Sequence, residues 1–474
     1  MARTTRDRAV LDYFSDVGVG RLGHLEVEVA MDLIARNQRL ILGAGPTGLA
    51  IARHFTDLGL QFAIADTRLD THLLEAVRAH YPDVECRLGP LDRSWLESFE
   101  EIVVSPGVPP STPGLIDADV PKISDIQLFR RAWPTQQLLV GITGSNAKST
   151  VTTLVGEILR VAGRPAVVGG NLGPQALDLL IDTPVDAVAV LELSSFQLAR
   201  TSQLQADVAT VLNMSADHLD WHGSMVDYHR DKHRIFQGVK SIVVNAEDPL
   251  SQPLVPDHTP TTRFAVQSPD FHRFGILETA EGPWIACGTE QWIPVETLRV
   301  RSRHMLQNTM AACAIARQMG LTPDVAARAV ATFDGLSHRM QPIAVQRGVL
   351  FIDDSKGTNM GASIAAMQSA AESRQHLILL AGGDAKGADA SDWAQWARRL
   401  CATVHTYGRD GRALADAIGQ PARCHADLSE AFAAAVSDAI PGSTVLLSPA
   451  CASFDQYPNY IARGHHFKRL VEAL

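Results

Sequence analysis

The chain has 474 residues, of which 46% are hydrophobic and 20% are charged, a composition that predicts ordinary globular folding in about three domains. The formal net charge of −10 leaves no basic surplus to neutralise phosphates, which argues against a general nucleic-acid-binding protein. The six cysteines form no CxxC pair, so the sequence favours reduced thiols over a zinc knuckle or a disulfide framework.

The N-terminal segment, residues 1–38, starts with a basic stretch and has no apolar core of the signal-peptide type. No uninterrupted apolar run approaches the ~18–20 residues that a membrane span needs. We therefore expect a soluble, cytoplasmic protein without a membrane span. We assign no role to residues 1–38.

Short apolar runs alternate with longer helical patterns along nearly the whole chain. Most runs are continuously apolar, as the strands of a parallel sheet covered on both faces are. The pattern therefore predicts the α/β class. Candidate strands, in chain order, are RLILGAG, QFAIADT, EIVVSPG, LLVGITG, AVAVLEL, VATVLNM, SIVVNAE, GVLFIDD, HLILLAGG, TVHTYG and STVLLSP.

Two breaks in this alternation, near Trp133 and near Asp334, divide the chain into three Rossmann-like units. The expected domains are 1–132, 133–337 and 338–474. The stretch from Pro253 to Val300 is rich in turns and compatible with short antiparallel strands.

The first motif is GxGxxG, with Gly43, Gly45 and Gly48 between a strand and a helix and with Asp66 at the end of the next strand. Such glycines let a diphosphate approach a helix N-terminus, and the acid can bind ribose hydroxyls. A tight turn without ligand is the plain alternative. An NAD-dependent dehydrogenase is another, but it leaves everything after residue 135 without a role.

The second motif is GITGSNAKST, Gly141 to Thr150, again between a strand and a helix. Lys148 and Ser149 match the end of the GxxxxGK[ST] phosphate loop, but Ile142 and Ala147 stand where its two glycines are usual. Alanine is harmless there at negative φ, whereas a left-handed backbone costs roughly 1 kcal/mol. We expect the loop to face solvent. The loop alone leaves nucleotide binding and a plain turn equally open.

Further polar residues follow the next strands. Glu192 in LELSSFQL ends a strand and is placed to reach the loop. The pattern D-H-x-D-x-H between Asp217 and His222 is compatible with a transition-metal site or with an ordinary polar loop. Lys232 lies in a helical pattern, where a lone lysine usually belongs to a solvated face.

Taken together, these stretches resemble the Mur ligases, and the resemblance runs from about Arg39 to the C-terminus. Its specificity comes from the combination of motifs in one order and spacing. The segments that carry it are GITGSN-KSTVTTLVGE, GGNLG, LELSSFQL, DHLD, DDSKGTN, LLSPACASFDQ and RG--F.

The resemblance implies an ATP-dependent amide-bond-forming ligase of cytoplasmic peptidoglycan synthesis that acts through an acyl phosphate. Within the family, the match is to the branch that joins glutamate to UDP-N-acetylmuramoyl-L-alanine. It further implies ATP and two Mg²⁺ ions, a monomer, and three domains that bind the UDP-sugar, ATP and glutamate in that order. D-glutamate is the main expectation and L-glutamate the alternative; a non-catalytic UDP-sugar-binding homologue and a dehydrogenase stay as other hypotheses.

The same resemblance implies roles for individual residues. Residues expected at the UDP-sugar are Pro46, Thr47, Asp66, Thr67, Arg68, Ser105, Gly107, Asn171, Ser194 and Gln197. Residues expected at ATP are Gly144, Ser145, Asn146, Ala147, Lys148, Ser149, Thr150, His304, Asn308, Arg339, Asp354 and Lys356. Residues expected at glutamate are His218, Thr358, Lys386, Ser453 and Tyr460. The expected catalytic residues are Lys148, Glu192, His218 and Lys232. The expected metal-site residues are Ser149, Glu192, His218 and Lys232, the last as a carbamate.

Three positions depart from the family pattern. Ala147 replaces a loop glycine. Met305 stands in RHMLQN where relatives carry HNxxN, which puts one adenine-side hydrogen bond in doubt. Tyr460 stands where phenylalanine is common and adds a hydroxyl near the glutamate. None of the three removes a charged catalytic group.

Overall fold

The computed structural model describes residues 39–299, 301–373 and 376–474. The expected α/β class is confirmed, because three sheets follow one another along the chain and helices accompany each. The segment 1–38, to which the sequence assigned no role, lies outside the described residues.

The first sheet has five parallel strands in the order β3-β2-β1-β4-β5. Its elements are β1 (Arg39–Leu42), α1 (Pro46–Asp57), β2 (Phe62–Asp66), α2 (Thr71–His80), β3 (Cys86–Leu88), α3 (Arg93–Leu96), β4 (Ile102–Val104), β5 (Lys122–Ile123) and α4 (Asp125–Ala132). The strand order reverses direction between β1 and β4. In such sheets a crevice opens at that point, beyond the carboxyl ends of the strands.

The second sheet has nine strands in the order β14-β13-β12-β11-β10-β9-β6-β8-β7. Its strands are β6 (Leu139–Thr143), β7 (Ala166–Gly170), β8 (Val188–Glu192), β9 (Val208–Val211), β10 (Ser241–Asn245), β11 (Thr261–Phe264), β12 (Arg273–Thr279), β13 (Gly282–Cys287) and β14 (Glu290–Pro294). Its helices are α5 (Lys148–Val161), α6 (Ser195–Leu198), α7 (Leu219–His222), α8 (Met225–His233), α9 (Arg303–Gln318) and α10 (Pro323–Thr332). Strands β6 to β12 pair in parallel, and β12 to β14 form an antiparallel meander within the turn-rich stretch.

The third sheet has six strands in the order β15-β16-β20-β17-β18-β19, of which only β15 is antiparallel to its neighbour. Its strands are β15 (Gln341–Gln346), β16 (Val349–Asp353), β17 (Leu377–Gly382), β18 (Thr403–Tyr407), β19 (Ala422–His425) and β20 (Thr444–Leu447). Its helices are α11 (Met360–Ser373), α12 (Ser391–Leu400), α13 (Gly411–Ile418), α14 (Leu428–Asp438) and α15 (Tyr460–Glu472).

Helix α5 shows how the sequence places the phosphate-loop motif. Val151, Leu154, Val155 and Ile158 recur at helical spacing and are at most 1% exposed, so one face of α5 packs into the core of the second sheet. Burial of each such side chain contributes roughly 1.5–3 kcal/mol. This packing holds the first turn of α5, and with it the loop, at the carboxyl end of β6.

Arg463 on α15 is fully buried at the carboxyl end of the third sheet. Its guanidinium donates to the carbonyl oxygens of Ser355 (2.9 Å), Cys451 (3.1 Å) and Gly382 (3.4 Å), and to the Ser355 hydroxyl (3.0 Å). Ser355 and Cys451 belong to the loops that follow β16 and β20, and Gly382 is the last residue of β17. One buried cation therefore ties two loops to the carboxyl end of β17.

Among the described helices, none combines the length and apolar character of a membrane-spanning segment. The three sheets occupy residues 39–123, 139–294 and 341–447. The domain borders at 132/133 and 337/338 stay a prediction.

Candidate active site

The loop between β6 and α5 is held in an unusual conformation. Ala147 has φ +68°, in the left-handed region that L-residues avoid. The loop therefore contains the left-handed alanine backbone that costs roughly 1 kcal/mol, and not the harmless one with negative φ. The expectation of a solvent-facing loop is wrong for Gly144 and Ser145, which are buried, whereas Asn146, Ala147 and Lys148 are half-buried.

The strain at Ala147 leads to a testable expectation. Ala147→Gly should raise the free energy of unfolding by up to about 1 kcal/mol, because glycine adopts a left-handed backbone without the clash of a Cβ atom. The ATP affinity should stay within a few-fold, since the strain exists with or without ligand. Urea unfolding and calorimetric titration measure the two quantities. Ala162→Gly, at φ −72°, is the matched control and should lower stability. An affinity rise of ~10-fold, about 1.4 kcal/mol, would show instead that Ala147 distorts the loop for ATP.

Lys148, the first residue of α5, folds back over the loop. Its Nζ donates to the carbonyl oxygens of Gly144 (2.9 Å) and Ser145 (3.0 Å). Burial lowers the pKa of Lys148, and the Glu192 carboxylate opposes that shift. The ammonium thus sits at the mouth of the loop, held by oxygens that a phosphate can replace.

Glu192 ends β8, next to the loop, because its partner across the sheet is Ile142 of β6. Asn171 donates to Oε1 at 2.6 Å, whereas Oε2 is buried and has no hydrogen-bond partner among the described residues. A buried carboxylate oxygen without a partner is uncommon and suits a hard cation such as Mg²⁺.

Lys232 on α8 is 2% exposed, so its interpretation as a lysine of a solvated helix face is wrong. Its Nζ donates to the Gly144 carbonyl (2.8 Å) and lies 3.4 Å from the Thr143 hydroxyl. Burial holds the pKa of Lys232 well below its usual range, and the nearby Lys148 ammonium lowers it further. The structure therefore favours a neutral amine, the form that can react with CO₂.

The side chains of the D-H-x-D-x-H pattern do not converge. His222 points into the protein, Asp220 is exposed, and Asp217 accepts a hydrogen bond from Asn359. Within the described residues, no three His, Cys, Asp or Glu side chains form a group that fits a metal ion. The geometry thus favours the polar-loop interpretation over a transition-metal site.

His218 lies at the start of α7 with φ +54° and packs edge-on against the Phe196 ring, 4.8 Å between centroids. Its Nε2 is 3.5 Å from an Asp217 oxygen. Burial lowers the pKa of His218, and Asp217 opposes that shift. Near neutral pH the imidazole is therefore able to accept a proton.

Residues of the third-sheet region reach across to the loop. Arg339 donates to the Ser149 hydroxyl at 2.7 Å, and Asn359 donates to an Asp217 oxygen at 3.1 Å. Burial lowers the pKa of Arg339, opposed by Glu192. The two regions are thus closed on each other around the motif.

Asp354 and Lys356 follow β16 on the same side. Burial raises the pKa of Asp354 to about 7, against the hydrogen bond from the Ser448 hydroxyl. Burial also lowers the pKa of Lys356 to about 8, and its Nζ lies 4.1 Å from the centroid of the Tyr460 ring. A cation over an aromatic face is attracted by the ring quadrupole, so Tyr460 orients Lys356.

A cavity of about 510 Å³ opens between the loop, α9 and the third-sheet region. Such a volume suits a nucleotide. The expected ATP residues among its lining are Asn146, Ala147, Thr150, His304, Asn308, Arg339, Asp354 and Lys356. Met305 also lines it, and so do Leu298 and Phe333, two apolar positions that the motifs did not reveal.

The residues expected at the UDP-sugar lie at the carboxyl ends of β1, β2 and β4, and after β7 and β8. Pro46, Thr67 and Gly107 are exposed there, as is Asn171 in the second-sheet region. Thr47 donates to Gln175 at 2.9 Å and joins the two regions.

Asp66 is 3% exposed, and its carboxylate forms hydrogen bonds within the protein. It accepts from the Ala44 backbone N–H at 2.8 Å and from the Arg68 guanidinium at 2.8 and 2.9 Å. Burial would raise the pKa of Asp66, but these partners outweigh it and hold the pKa below its usual value. Similarly, the Ser105 hydroxyl donates to the Gly43 carbonyl at 3.2 Å. Both side chains brace the glycine-rich turn.

Ser194 and Gln197 form a capping box at the start of α6, and Gln197 is 2% exposed. Its amide also donates to Asp125 of α4 at 3.1 Å, and burial raises the pKa of Asp125 to about 6. In this structure Gln197 joins the first two sheet regions; its contact with the substrate stays a prediction.

Four of the five residues expected at glutamate come from the segments that follow β16, β17 and β20 and from helix α15, whereas His218 lies in the second-sheet region. Thr358 follows β16, Lys386 follows β17, and Ser453 follows β20, while Tyr460 begins α15. Lys386 is exposed, at φ +52°, whereas Ser453 is 2% exposed.

Sequence reasoning missed three residues that shape the loop. Asn213 accepts from the Asn146 backbone N–H at 2.8 Å, and the Tyr228 hydroxyl lies 2.9 Å from that of Ser145. Asn359 crosses from the other side, as described above. A signal existed for each: Asn213 is the second residue after β9, Tyr228 lies one helical turn before Lys232, and Asn359 closes the DDSKGTN motif.

Comparison with known proteins identifies the three regions. The Mur ligase MurD-like N-terminal domain matches residues 37–125, the Mur ligase middle domain matches 142–316, and the Mur ligase glutamate ligase domain matches 338–451. The UDP-N-acetylmuramoylalanine–D-glutamate ligase of Pseudomonas aeruginosa is 44% identical over 94% of this chain and 100% of its own length. That of Chromohalobacter salexigens is 45% identical over 91% of this chain and 96% of its own.

Solved structures show the same fold at lower identity. The UDP-N-acetylmuramate-alanine ligase of Thermotoga maritima is 17% identical with a TM-score of 0.58, covering 92% of this chain and 99% of its own. A pseudomurein peptide ligase type C of Methanothermus fervidus is 17% identical with a TM-score of 0.59, covering 92% and 100%. These likenesses support the three-sheet architecture.

Proposed function

The chain belongs to the Mur ligase family, and we propose that it joins D-glutamate to UDP-N-acetylmuramoyl-L-alanine with ATP, in peptidoglycan precursor synthesis. The observation that carries the proposal is the similarity to D-glutamate ligases over nearly the whole chain. The closed loop, with its lysine, its unpartnered carboxylate oxygen and the adjoining cavity, supports an ATP-dependent reaction. We further propose that the enzyme acts as a cytoplasmic monomer with two Mg²⁺ ions.

In the first half-reaction, the alanyl carboxylate of the substrate attacks the γ-phosphorus of ATP, an acyl phosphate forms and ADP leaves. Lys148 turns from the carbonyls of Gly144 and Ser145 towards the phosphate oxygens, and Arg339 approaches from the third-sheet region. Bound Mg²⁺ supplies neutralisation of the charge that gathers on the phosphate oxygens. Ser149, Glu192 and His218 are the residues that would hold the two ions, with Lys232.

Lys232 completes that ligand set as a carbamate. The neutral Nζ adds to the carbon of CO₂ and loses one proton to water, which leaves an anionic carboxylate-like group. A hard cation prefers such oxygen ligands, whereas an ammonium at the same place would repel it. The burial of Lys232 favours this chemistry, because it favours the uncharged amine.

In the second half-reaction, the neutral amine of glutamate attacks the acyl carbon and phosphate leaves. The amine proton passes to a nearby base: His218 can take it only while its free ring nitrogen holds no ion, and the Asp217 carboxylate, 3.5 Å from His218 Nε2, is the alternative acceptor. Thr358, Lys386, Ser453 and Tyr460 would bind the carboxylates and position the amine. The closed arrangement around Arg339 and Asn359 keeps water from the acyl phosphate.

Phosphate release tests the proposal. It should require UDP-N-acetylmuramoyl-L-alanine, ATP and D-glutamate together, and L-glutamate should support little turnover. Faster release with L-glutamate would establish the alternative specificity, and no release with either enantiomer would favour a non-catalytic UDP-sugar-binding homologue. Reduction of NAD⁺ without ATP would instead indicate the dehydrogenase.

A further inference from the structure

A buried chain of three side chains connects the end of β8 to helix α8, and none of the steps above uses it. His222 is its centre: Nδ1 lies 2.9 Å from Asp231 Oδ2, and Nε2 lies 2.9 Å from Ser195 Oγ. Their exposed fractions are 9% for His222, 6% for Asp231 and 3% for Ser195. We call these three residues the His222 brace.

The brace has the atom order of a serine-hydrolase triad, but its surroundings exclude that chemistry. The His222 side chain is completely inaccessible, and its ring packs between Phe196 (5.6 Å) and Tyr228 (5.1 Å). No acyl substrate reaches a serine so enclosed. A carboxylate can only accept, so Nδ1 carries a proton, and the Ser195 hydroxyl is the hydrogen-bond partner of Nε2. The hydrogen bonds are satisfied internally, which points to a mechanical role.

The two ends of the brace lie beside two residues of the proposed metal site. Ser195 follows Glu192 by three positions, and Asp231 directly precedes Lys232. Consecutive helical residues differ by about 100° in direction, so a contact that holds Asp231 fixes the roll of α8 and hence the direction of Lys232. The Tyr228 hydroxyl, 2.9 Å from the Ser145 hydroxyl, is a second contact that joins α8 to the loop.

We propose that the His222 brace is a positioning device that holds Lys232 in the place where its carbamate forms and faces Glu192. The inference rests on the carbamylation in the proposed function. Asp231 also lies 3.7 Å from Arg230 and 3.5 Å from Arg234, so two further side chains of this part of the chain hold the carboxylate that accepts from His222. His222 acts through Lys232 and touches no substrate.

The first test follows the carbamate itself. Metal-free protein is incubated with ¹³C-bicarbonate, and the carbamate resonance is recorded by ¹³C NMR. The unmodified sequence should show a resonance that Lys232→Ala lacks. His222→Gln, which cannot reach both partners, and Asp231→Asn should reach half-occupancy only at roughly 10-fold higher bicarbonate, as when a residue that supports a ligand is lost.

Unchanged occupancy in these variants would overturn the proposal, and so would the absence of a Lys232 resonance in the unmodified sequence. The ligase function is judged separately, by phosphate release. His229→Gln, on the same helix but outside the brace, is the matched control and should leave occupancy unchanged. Asp231→Asn serves for the same measurement should His222→Gln fail to fold.

The second test asks whether His222 acts through Lys232. In the unmodified sequence His222→Gln should lower kcat roughly 10-fold, with the KM for ATP nearly unchanged. In Lys232→Ala supplied with acetate, the free carboxylate finds its own position, so adding His222→Gln should change the rescued rate less than about 2-fold, well below the coupling expected of contacting residues. An equal loss in both backgrounds would show general structural support and contradict the proposal.

Discussion

Lys148→Ala should lower kcat/KM for ligation by at least ~100-fold, by analogy with the removal of one preorganised charge-stabilising donor. The Lys148 ammonium is the cation that we expect at the phosphates, and within the described residues its hydrogen bonds go to the carbonyl oxygens of Gly144 and Ser145. Losing those two hydrogen bonds costs about 1–3 kcal/mol, which a domain of ordinary stability, roughly 5–15 kcal/mol, tolerates. The variant should therefore fold.

Phosphate release under saturating substrates measures the activity of Lys148→Ala, and thermal unfolding measures its folding. Lys240→Ala is the matched control, because Lys240 is 68% exposed, lies in the same region and pairs with Asp207. It should retain full activity. Near-normal turnover of a folded Lys148→Ala would refute the ATP role of the loop.

Lys232→Ala should be inactive in ordinary buffer, with a loss of at least ~100-fold, and should regain part of its activity when acetate is added. The substitution removes the proposed carbamate oxygens and leaves a space at the loop that a small carboxylate can fill. Lys232→Arg keeps a positive charge and cannot form the carbamate, so acetate should not restore it. Phosphate release with and without acetate compares the two variants.

The contrast between the two Lys232 variants separates chemistry from charge. Lys468→Ala, at an exposed position of α15, should be fully active and insensitive to acetate. Full activity of either Lys232 variant without acetate would remove this lysine from the site. Rescue of Lys232→Arg would show that acetate acts elsewhere.

The local sequence pattern was enough to predict the α/β class and the two glycine-bearing turns. A continuous apolar run followed by a loop and a helical pattern indicates a strand, a turn and a helix without information from distant residues. The conformation of Ala147 was not predictable, since it depends on how Asn213 and the neighbouring strand ends hold the loop. Residues that are far apart in the chain meet only through the fold.

The buried state of Lys232 shows the same limit for the candidate site. A lysine in a polar helix reads as solvated, and only the packing of α8 beneath the loop makes it 2% exposed. His222 likewise suggested a metal ligand by its spacing, whereas its partners Ser195 and Asp231 lie 27 and nine positions away. The family resemblance supplied roles for Lys148 and Glu192 that their spacing alone left open.

Arg463 bears on how glutamate would be recognised. The loops after β16 and β20 share one guanidinium with the last residue of β17, so the two loops cannot open independently, and their conformational entropy is lost when the protein folds. When a ligand binds loops that are already ordered, the protein loses little further conformational entropy. More of the contact energy then contributes to affinity and to discrimination between enantiomers. Helix α15, through Arg463, thereby preorganises the proposed glutamate site.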